Sequence, residues 1–275
     1  MKIIIIYFSG TGNTKFLSEK IFEQFNKKGF PEVQLLSVEN AMDVNMNFCD
    51  DNVILGIGFP VYDYMPPEII MKFIDKLGKS VINNKAFVYS TYTTNPLDSN
   101  YYVIDTLQKK GFHVIAQNNF KAPGASAYFY SNPKLPIVKG KTVFSNGVDK
   151  RIGDFVNNIL SYNSQNQKTI PIRYNRFNKF HIRFSKMTFG YKFYRNLRNS
   201  YKCINCGLCV KNCPSSNLYM EDGILHIRNE NDCMRCLRCV QICGRDAINF
   251  TSSKRRGKYT RKDIENAYEN SIIQK

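Results

Sequence analysis

The residues with the clearest chemistry are eight cysteines between positions 203 and 243. They form two runs with the same spacing, C-x2-C-x2-C-x3-C, and the second run follows the first by thirty residues. The first run is Cys203, Cys206, Cys209 and Cys213, and the second is Cys233, Cys236, Cys239 and Cys243. Thiolates are soft metal ligands, and closely spaced cysteines outside an oxidising compartment indicate metal binding rather than disulfides.

The spacing itself selects the metal centre. It is the one that bacterial two-cluster ferredoxins use, in which the fourth cysteine of each run ligates the other cluster. Three thiolates at every third residue can surround one corner of a 4Fe-4S cluster while the fourth points away. One cluster is predicted to take Cys203, Cys206, Cys209 and Cys243, and the other Cys233, Cys236, Cys239 and Cys213. Zinc is the weaker alternative, since structural zinc sites pair two C-x2-C knuckles at longer separation.

The second run contains two arginines, Arg235 and Arg238. Positive charge next to an anionic cluster favours its reduced form. The sequence therefore predicts the higher reduction potential for the second cluster. This run also has Gly244 after its last cysteine where the first run has Pro214, a difference that removes no ligand.

A second group of ligand-type residues lies near the start of the chain, between a predicted strand and a predicted helix. Its members are Ser9, Gly10, Thr11, Gly12, Asn13 and Thr14. Glycines let a backbone approach a phosphate, hydroxyls and amides donate hydrogen bonds, and a helix N-terminus favours negative charge. The loop is neither a Walker loop nor a dinucleotide fingerprint. Phosphate binding and an ordinary Gly-rich turn are both compatible with these residues alone.

The elements around this loop alternate between apolar runs and amphipathic segments, as in a parallel α/β sheet. Five strands are predicted, at residues 2–8, 32–38, 52–59, 85–92 and 113–120. Helical apolar stripes lie between them, and a closing helix runs from Val148 to Ile159. The pattern predicts an α/β doubly wound domain with a five-stranded parallel sheet, and it leaves the strand order open.

The loop at 9–14 resembles the S/T-x-T-G-x-T phosphate loop of flavodoxins through Ser9, Thr11, Gly12 and Thr14. The stretch GFPVYDYMPP is similar to the flavodoxin loop that covers one face of the flavin ring. The resemblance implies bound FMN, with the ring contacted by two further loops. Their residues would be Pro60, Val61 and Tyr62 on one face, and Thr91, Tyr92 and Thr93 on the other.

The whole chain resembles the flavodoxin–ferredoxin fusion proteins. Four segments are predicted: a flavodoxin-like FMN-binding domain at 1–160, a basic aromatic linker at 161–200, a small α+β two-cluster ferredoxin domain at 201–252, and a basic C-terminal tail at 253–275. The resemblance implies electron transfer between two 4Fe-4S clusters and FMN, and to or from redox partner enzymes.

Positive charge is concentrated between the two predicted domains. The formal net charge is +17, and residues 151–202 hold eleven Lys and Arg but only Asp154 as an acid, which is +10. A basic segment of this kind attracts acidic partners and speeds their encounter with the protein. An acidic redox protein is therefore favoured over nucleic acid as the binding partner. No apolar run is long enough to span a membrane, and the first apolar run ends at Ser9, which favours a cytoplasmic protein.

The sequence is compatible with two functions. The first is an electron carrier. The second is a flavin-dependent oxidoreductase that reduces a quinone, nitro compound or flavin with the clusters as its electron supply. The three histidines, His113, His181 and His226, are scattered along the chain and supply no acid–base pair in the flavin loops, so the carrier is favoured.

Overall fold

The computed structural model describes nine stretches of the 275-residue chain. These are residues 2–30, 32–42, 53–79, 84–124, 143–162, 169–175, 177–178, 198–249 and 259–273. They include the three predicted flavin loops and both cysteine runs. Most of the basic and aromatic stretch, residues 179–197, lies outside the described residues.

A parallel β-sheet forms the centre of the first domain. Its strands are β1 Lys2–Tyr7, β2 Val33–Ser37, β3 Val53–Pro60, β4 Lys85–Tyr92 and β5 His113–Lys121. They lie in the order β2-β1-β3-β4-β5, and each neighbouring pair is parallel. This is the order of flavodoxin-like doubly wound folds, so the predicted fold class of the first domain is confirmed.

Helices cover both faces of the sheet. One face carries α1 Asn13–Lys27 and α5 Val148–Leu160, and the other carries α2 Val38–Met42, α3 Glu68–Lys76 and α4 Ser99–Lys109. Strand β1 shows why its sequence is continuously apolar: Ile3 and Ile5 pack on the first face, while Ile4 and Ile6 pack on the second. Within the described stretches, every helix is too short or too polar to cross a bilayer.

The cysteine-rich segment forms a small module of short elements. These are β6 Arg198–Asn199, α6 Leu208–Lys211, β7 Leu218–Glu221, β8 Ile224–Ile227, α7 Arg238–Ile242 and β9 Ile248–Asn249. Strand β6 pairs with β9, and β7 pairs with β8, both antiparallel. Asp222 and Gly223 join β7 to β8 with φ values of 48° and 76°. Two positive φ angles are what a tight two-residue hairpin needs, and the Asp-Gly dipeptide favours them.

The last part of the chain returns to the first domain, which the predicted basic tail did not anticipate. Helix α8, Arg261–Ile273, packs beside α5. Four residues of this region are buried in the core on the α1 face of the sheet: Tyr259, Ile264, Ala267 and Tyr268. The Tyr268 ring lies 5.1 Å from that of Phe16, and its hydroxyl donates to Asp149 over 2.8 Å. The core of the first domain is therefore completed by residues from the other end of the sequence.

The start of the predicted linker also lies on the first domain. Ile170 and Ile172 pack on the face that carries α3 and α4. The Ile170 amide donates to the Val114 carbonyl over 3.0 Å, and the Asn175 amide donates to the Asp98 carboxylate over 2.9 Å. These described residues are thus held against the sheet domain.

Two glycines, Gly56 in β3 and Gly153 in α5, test the packing of the sheet domain. A β-carbon at Gly56 would overlap the ring of Phe87, which is fully buried. We expect Gly56→Ala to lower the free energy of unfolding by about 1–3 kcal/mol, because the ring has no space to move into. Gly153 in α5 has nothing within 4 Å of such an atom, so Gly153→Ala should raise stability by about 1 kcal/mol. Denaturant unfolding of both variants measures this, and equal stability of the two would contradict the packing described.

Candidate functional site

The three predicted flavin loops converge at the carboxyl edge of the sheet. The order of the strands reverses between β1 and β3, and this is where ligands bind in open α/β sheets. The hydroxyls of Thr14 and Thr91 lie 2.7 Å apart, and the Val61 amide donates to the Thr91 carbonyl over 2.8 Å. The Tyr62 hydroxyl lies against Gly10. The structure thus brings together Gly10 and Thr14 of the first loop, Val61 and Tyr62 of the second, and Thr91 of the third.

Three polar side chains of the 9–14 loop, Ser9, Asn13 and Thr14, form hydrogen bonds within the protein. Ser9 Oγ accepts the Gly12 amide over 3.1 Å, and Thr14 is paired with Thr91. Asn13 Nδ2 donates to the Pro123 carbonyl over 2.7 Å, while Asn13 Oδ1 accepts from the Tyr259 hydroxyl over 2.6 Å. These groups therefore fix the loop in place in the conformation described.

Both glycines of the loop face the C-terminal third of the chain. A β-carbon at Gly10 would overlap the Cys236 carbonyl oxygen as well as the Tyr62 hydroxyl. A β-carbon at Gly12 would lie 2.9 Å from Ile264 Cδ1, and Gly12 has a φ of 105°, which a residue with a side chain rarely adopts. The second cysteine run thus lies close to the backbone at Gly10, and α8 lies close to it at Gly12.

Tyr62 is held in this contact by its surroundings. Its ring meets that of Phe8 edge to face, with centroids 6.4 Å apart. Burial raises the pKa of the Tyr62 phenol well above its ordinary value, and the negative charge of a Cys236 thiolate would raise it further. The hydroxyl therefore stays protonated and occupies the space above Gly10 as a neutral group.

Two arginines of the second cysteine run bind the first domain. Arg238 Nη2 donates to the Ser9 carbonyl over 2.9 Å, and Arg238 Nη1 lies 2.5 Å from Glu39 Oε1. The guanidinium also lies over the Phe8 ring, 5.0 Å from its centroid. Arg235 Nη1 lies 3.4 Å from Asp63 Oδ2.

The Arg238–Glu39 contact is the more consequential of the two ion pairs. Both carboxylate oxygens of Glu39 are buried and accept no well-aligned hydrogen bond from a described residue. Arg238 therefore compensates this charge through proximity rather than through an ideal hydrogen bond. Removing one member of such a pair leaves a buried charge without a counterion, which is strongly unfavourable.

These contacts decide whether the site, as it stands, fits FMN. The position at the strand-order reversal and the sequence of the loop suit a flavin phosphate. The Cys236 carbonyl and the Tyr62 hydroxyl lie beside Gly10, and the hydroxyls of Ser9 and Thr14 bond to partners within the protein. The loop therefore suits a flavin phosphate by its residue types and position, and part of it is also in contact with the second cysteine run.

The two cysteine runs repeat in backbone conformation as well as in sequence. Positive φ angles recur thirty residues apart, at Asn205 and Arg235, Gly207 and Leu237, and Ser216 and Asp246. Left-handed backbone is costly for residues other than glycine. The first copy carries this strain at Asn205 and Ser216, and the second at Arg235, Leu237 and Asp246. The fourth cysteines are equivalent too: Cys213 Sγ accepts the Asn217 amide over 3.4 Å, and Cys243 Sγ accepts the Ala247 amide over 3.3 Å. The runs are two copies of one local structure.

The first predicted ligand set surrounds a single cavity. Its thiols are Cys203, Cys206, Cys209 and Cys243, and apolar side chains such as Leu208 and Leu225 complete the wall. Burial raises the pKa of the Cys209 thiol, and negative charge on Cys203 and Cys243 would raise it further. The structure thus brings the last cysteine of the second run to three cysteines of the first.

The second predicted set is grouped in the same way. Burial raises the pKa of Cys233, and negative charge on Cys213 adds to the shift. Burial raises the pKa of Cys236 to about 11, with Cys233 and Cys213 contributing. The pKa of Cys239 is also raised well above its ordinary value, mainly by burial and then by Cys236, Cys233 and Cys213. Cys213 of the first run therefore lies among three cysteines of the second.

These donor sets fit iron–sulfur clusters. Each offers four thiols, and no His, Asp or Glu lines the first cavity. Across the described ranges, no three His, Cys, Asp or Glu side chains are arranged to hold a single metal ion. Four thiols spread around a cavity suit a centre with iron atoms at separate corners. Because their pKa values are raised, Cys209, Cys233, Cys236 and Cys239 need a bound cationic centre to remain thiolates at neutral pH.

Sequence reasoning missed the residues that join the two halves. Arg235 and Arg238 were interpreted only as charges near a cluster, and Tyr259 fell within the predicted tail. Glu39 carried no signal, because an acidic residue after a strand is ordinarily solvated. The signal that was available is the pair of arginines inside a metal-binding motif, where a charged side chain needs a nearby partner.

Gly10 offers a direct test of the contact between the 9–14 loop and the second cysteine run, here called the docking. We expect Gly10→Ala to weaken it, because the Cys236 carbonyl is backbone and cannot yield as a side chain can. An overpacking cost of about 1–3 kcal/mol corresponds to roughly 5- to 150-fold faster amide exchange in residues 9–14 and 233–239. Gly78→Ala is the matched control, since nothing lies within 4 Å of its β-carbon. Unchanged exchange in Gly10→Ala would show that the two segments do not dock in solution.

Comparisons with known proteins agree with the two-part organisation. Residues 195–244 match the family described as 4Fe-4S dicluster domain. An uncharacterized protein of Methanocaldococcus jannaschii is 28% identical over 120 residues, which cover 42% of this chain and 73% of that protein. The family match falls on the cysteine module and includes all eight cysteines of the two runs.

Solved structures similar to the chain include two flavodoxins. An archaeal flavodoxin is 18% identical, with a TM-score of 0.37, and the match covers 57% of this chain and 99% of that one. A Fusobacterium nucleatum flavodoxin bound to flavin mononucleotide is 18% identical, with a TM-score of 0.38, and covers 58% and 98%. The strand order is the independent basis for the fold. The chain combines a flavodoxin-like α/β domain with a module that matches the 4Fe-4S dicluster family.

Proposed function

We propose that the protein is an electron carrier in which the eight cysteines bind two 4Fe-4S clusters. The observation that carries this proposal is the exchange of fourth cysteines. Cys243 lies with three cysteines of the first run, and Cys213 lies with three of the second. This interleaving is the ligand pattern of two-cluster ferredoxins, whose clusters accept and donate single electrons.

The two clusters would have different surroundings and therefore different roles. Cys206 of the first set is exposed, and Ile204 and Leu208 beside it are 60% and 44% exposed. In the second set, the Cys236 backbone lies against Gly10 of the sheet domain. We assign the first cluster to exchange with external partners and the second to exchange with the sheet domain. Because both are in one chain, transfer between them needs no collision.

The partner is proposed to be a redox protein with an acidic contact surface. Lys202, Lys211 and Arg245 are exposed around the first cysteine run. Complementary charge speeds transient encounters of this kind, and apolar residues such as Ile204 suit a protein contact better than a nucleic-acid backbone.

FMN is the proposed second cofactor, bound at the 9–14 loop. The loop sequence and its place at the strand-order reversal support this assignment, and Tyr62 and Tyr92 lie in the two adjoining loops. When bound, FMN would supply one- or two-electron chemistry alongside the one-electron clusters. Tyr62 and the Cys236 backbone lie against Gly10 of this loop.

Cofactor content of the anaerobically purified protein tests the proposal as a whole. We expect about eight iron atoms and as many sulfides per chain, with the absorption of 4Fe-4S clusters. Reconstitution with FMN should give at most one flavin per chain. Stoichiometric zinc in place of iron would refute the cluster assignment, and failure of FMN to bind in any condition would refute the flavin assignment alone.

Paired serine substitutions test the exchange of ligands. If Cys243 serves the first cluster, the double variant Cys203→Ser and Cys243→Ser damages only that cluster and retains about four iron atoms. The double variant Cys203→Ser and Cys213→Ser then damages both and retains almost none. Self-contained motifs predict the reverse ranking. Iron analysis together with low-temperature EPR of the reduced proteins distinguishes the two assignments.

A further inference from the structure

Arg238 lies between the second set of cysteines and a carboxylate of the sheet domain. In sequence it stands between Cys236 and Cys239, and its backbone amide donates to the Cys236 sulfur. Its guanidinium donates to the Ser9 carbonyl over 2.9 Å and lies 2.5 Å from Glu39 Oε1. A positive charge next to the second cluster site is therefore paired with a negative charge that the other domain supplies.

The position of this ion pair is fixed by its surroundings. The Arg238 guanidinium lies 5.0 Å from the centroid of the Phe8 ring. The two side chains are only 19% and 27% exposed, so water screens the pair less than an ordinary surface pair. The Tyr62 phenol shows how close these charges are to the cysteines. Burial raises its pKa most, and charge on Cys236, Arg238 and Glu39 acts on it as well.

We propose that Glu39 lowers the reduction potential of the second cluster by compensating the charge of Arg238. This inference rests on the proposed function, since it takes a 4Fe-4S cluster as the group that Cys236 binds. Reduction adds one electron to the cluster, and a nearby positive charge favours that step. Glu39 opposes it, so the sheet domain sets the potential of a cluster that the other domain ligates. Because Glu39 acts through Arg238, it is a positioning residue.

A second ion pair at the same interface provides a comparison. Arg235 Nη1 and Asp63 Oδ2 are 3.4 Å apart, and the Asp63 side chain is 40% exposed. Water screens this carboxylate more than it screens Glu39, whose two oxygens are buried. Removing the charge of Asp63 should therefore change the potential less than removing the charge of Glu39.

The two members of the Arg238–Glu39 pair should act in opposite directions. Glu39→Gln leaves the Arg238 charge uncompensated, so the potential of the second cluster rises. Arg238→Gln removes the positive charge, so the potential falls. We expect a change of about tenfold in the one-electron equilibrium constant in each case, which corresponds to about 59 mV. The double variant should return close to the unsubstituted protein.

A purely structural role of the ion pair predicts a different result. Either substitution breaks the pair and leaves its other member without a counterion at the interface. If the only effect were weaker docking, both variants would expose the second cluster to water, and its potential would shift in the same direction in both. The sign of the two shifts therefore separates charge compensation from a structural role.

The experiment is an anaerobic redox titration of the full chain with its clusters assembled. Dithionite supplies the electrons, and EPR of the reduced clusters gives both potentials. The variants are Glu39→Gln, Arg238→Gln and the double variant. Asp63→Asn is the control at the interface, and Glu23→Gln, on the exposed surface of α1, is the control for loss of an acidic charge. Iron content and amide exchange of residues 233–239 are measured in every protein.

One further variant keeps the test decisive if Arg238→Gln assembles no clusters. Glu39→Asp retains the negative charge but shortens the side chain. Charge compensation predicts that Glu39→Asp keeps a potential close to that of the unsubstituted protein while Glu39→Gln raises it. A structural role predicts that both substitutions shift the potential in the same direction.

The inference is supported if one potential rises in Glu39→Gln, falls in Arg238→Gln and returns in the double variant, while the other potential stays constant. Asp63→Asn should shift the equilibrium constant less than threefold, and Glu23→Gln should not shift it. Shifts of the same sign, no shift in either variant, or an equal shift in Asp63→Asn would overturn the inference. Two clusters with unchanged potentials remove this inference alone, whereas an unsubstituted protein that assembles no clusters removes the proposed function.

Discussion

Arg238 makes the contact on which the arrangement of the two halves depends. Its guanidinium reaches the Ser9 carbonyl and the Glu39 carboxylate, while the neighbouring Arg235 reaches Asp63. The strand order explains why these partners are available together. Ser9 follows β1, Glu39 follows β2 and Asp63 follows β3, and these three strands are adjacent in the sheet. Parallel strands end at the same edge, so the fold gathers acceptors from distant parts of the sequence opposite one cysteine run.

Much of the fold could be predicted because its signals are local. Continuous β-branched runs such as that around Ile4 indicate strands buried on both faces, and Asp222-Gly223 indicates a hairpin turn. The grouping of the cysteines was predictable for a similar reason. The spacing of three thiolates limits which fourth cysteine can complete each set, and the structure brings Cys243 and Cys213 to the sets that the spacing predicts.

The docking could not be predicted, because its contacts join residues that are far apart in sequence and ordinary in type. The hydrogen bond from Tyr259 to Asn13 spans 246 positions, and that from Arg238 to Ser9 spans 229. No periodicity or motif connects such residues. The glycines of the 9–14 loop show the limit most clearly: the sequence indicates that something approaches the backbone closely at Gly10 and Gly12. Both a phosphate and the chain's own Cys236 and Ile264 satisfy that requirement.

The paired arginines also change the electrostatic argument about the two clusters. The sequence predicts the higher potential for the second cluster because Arg235 and Arg238 lie within its motif. In the folded protein each arginine faces a carboxylate, so the second cluster is near ion pairs rather than free cations. Its cysteines are also buried enough to raise the pKa of Cys236 to about 11, and a buried site disfavours added negative charge. Burial and charge pairing therefore act against the arginines, so the higher potential of the second cluster stays a prediction that a redox titration has to test.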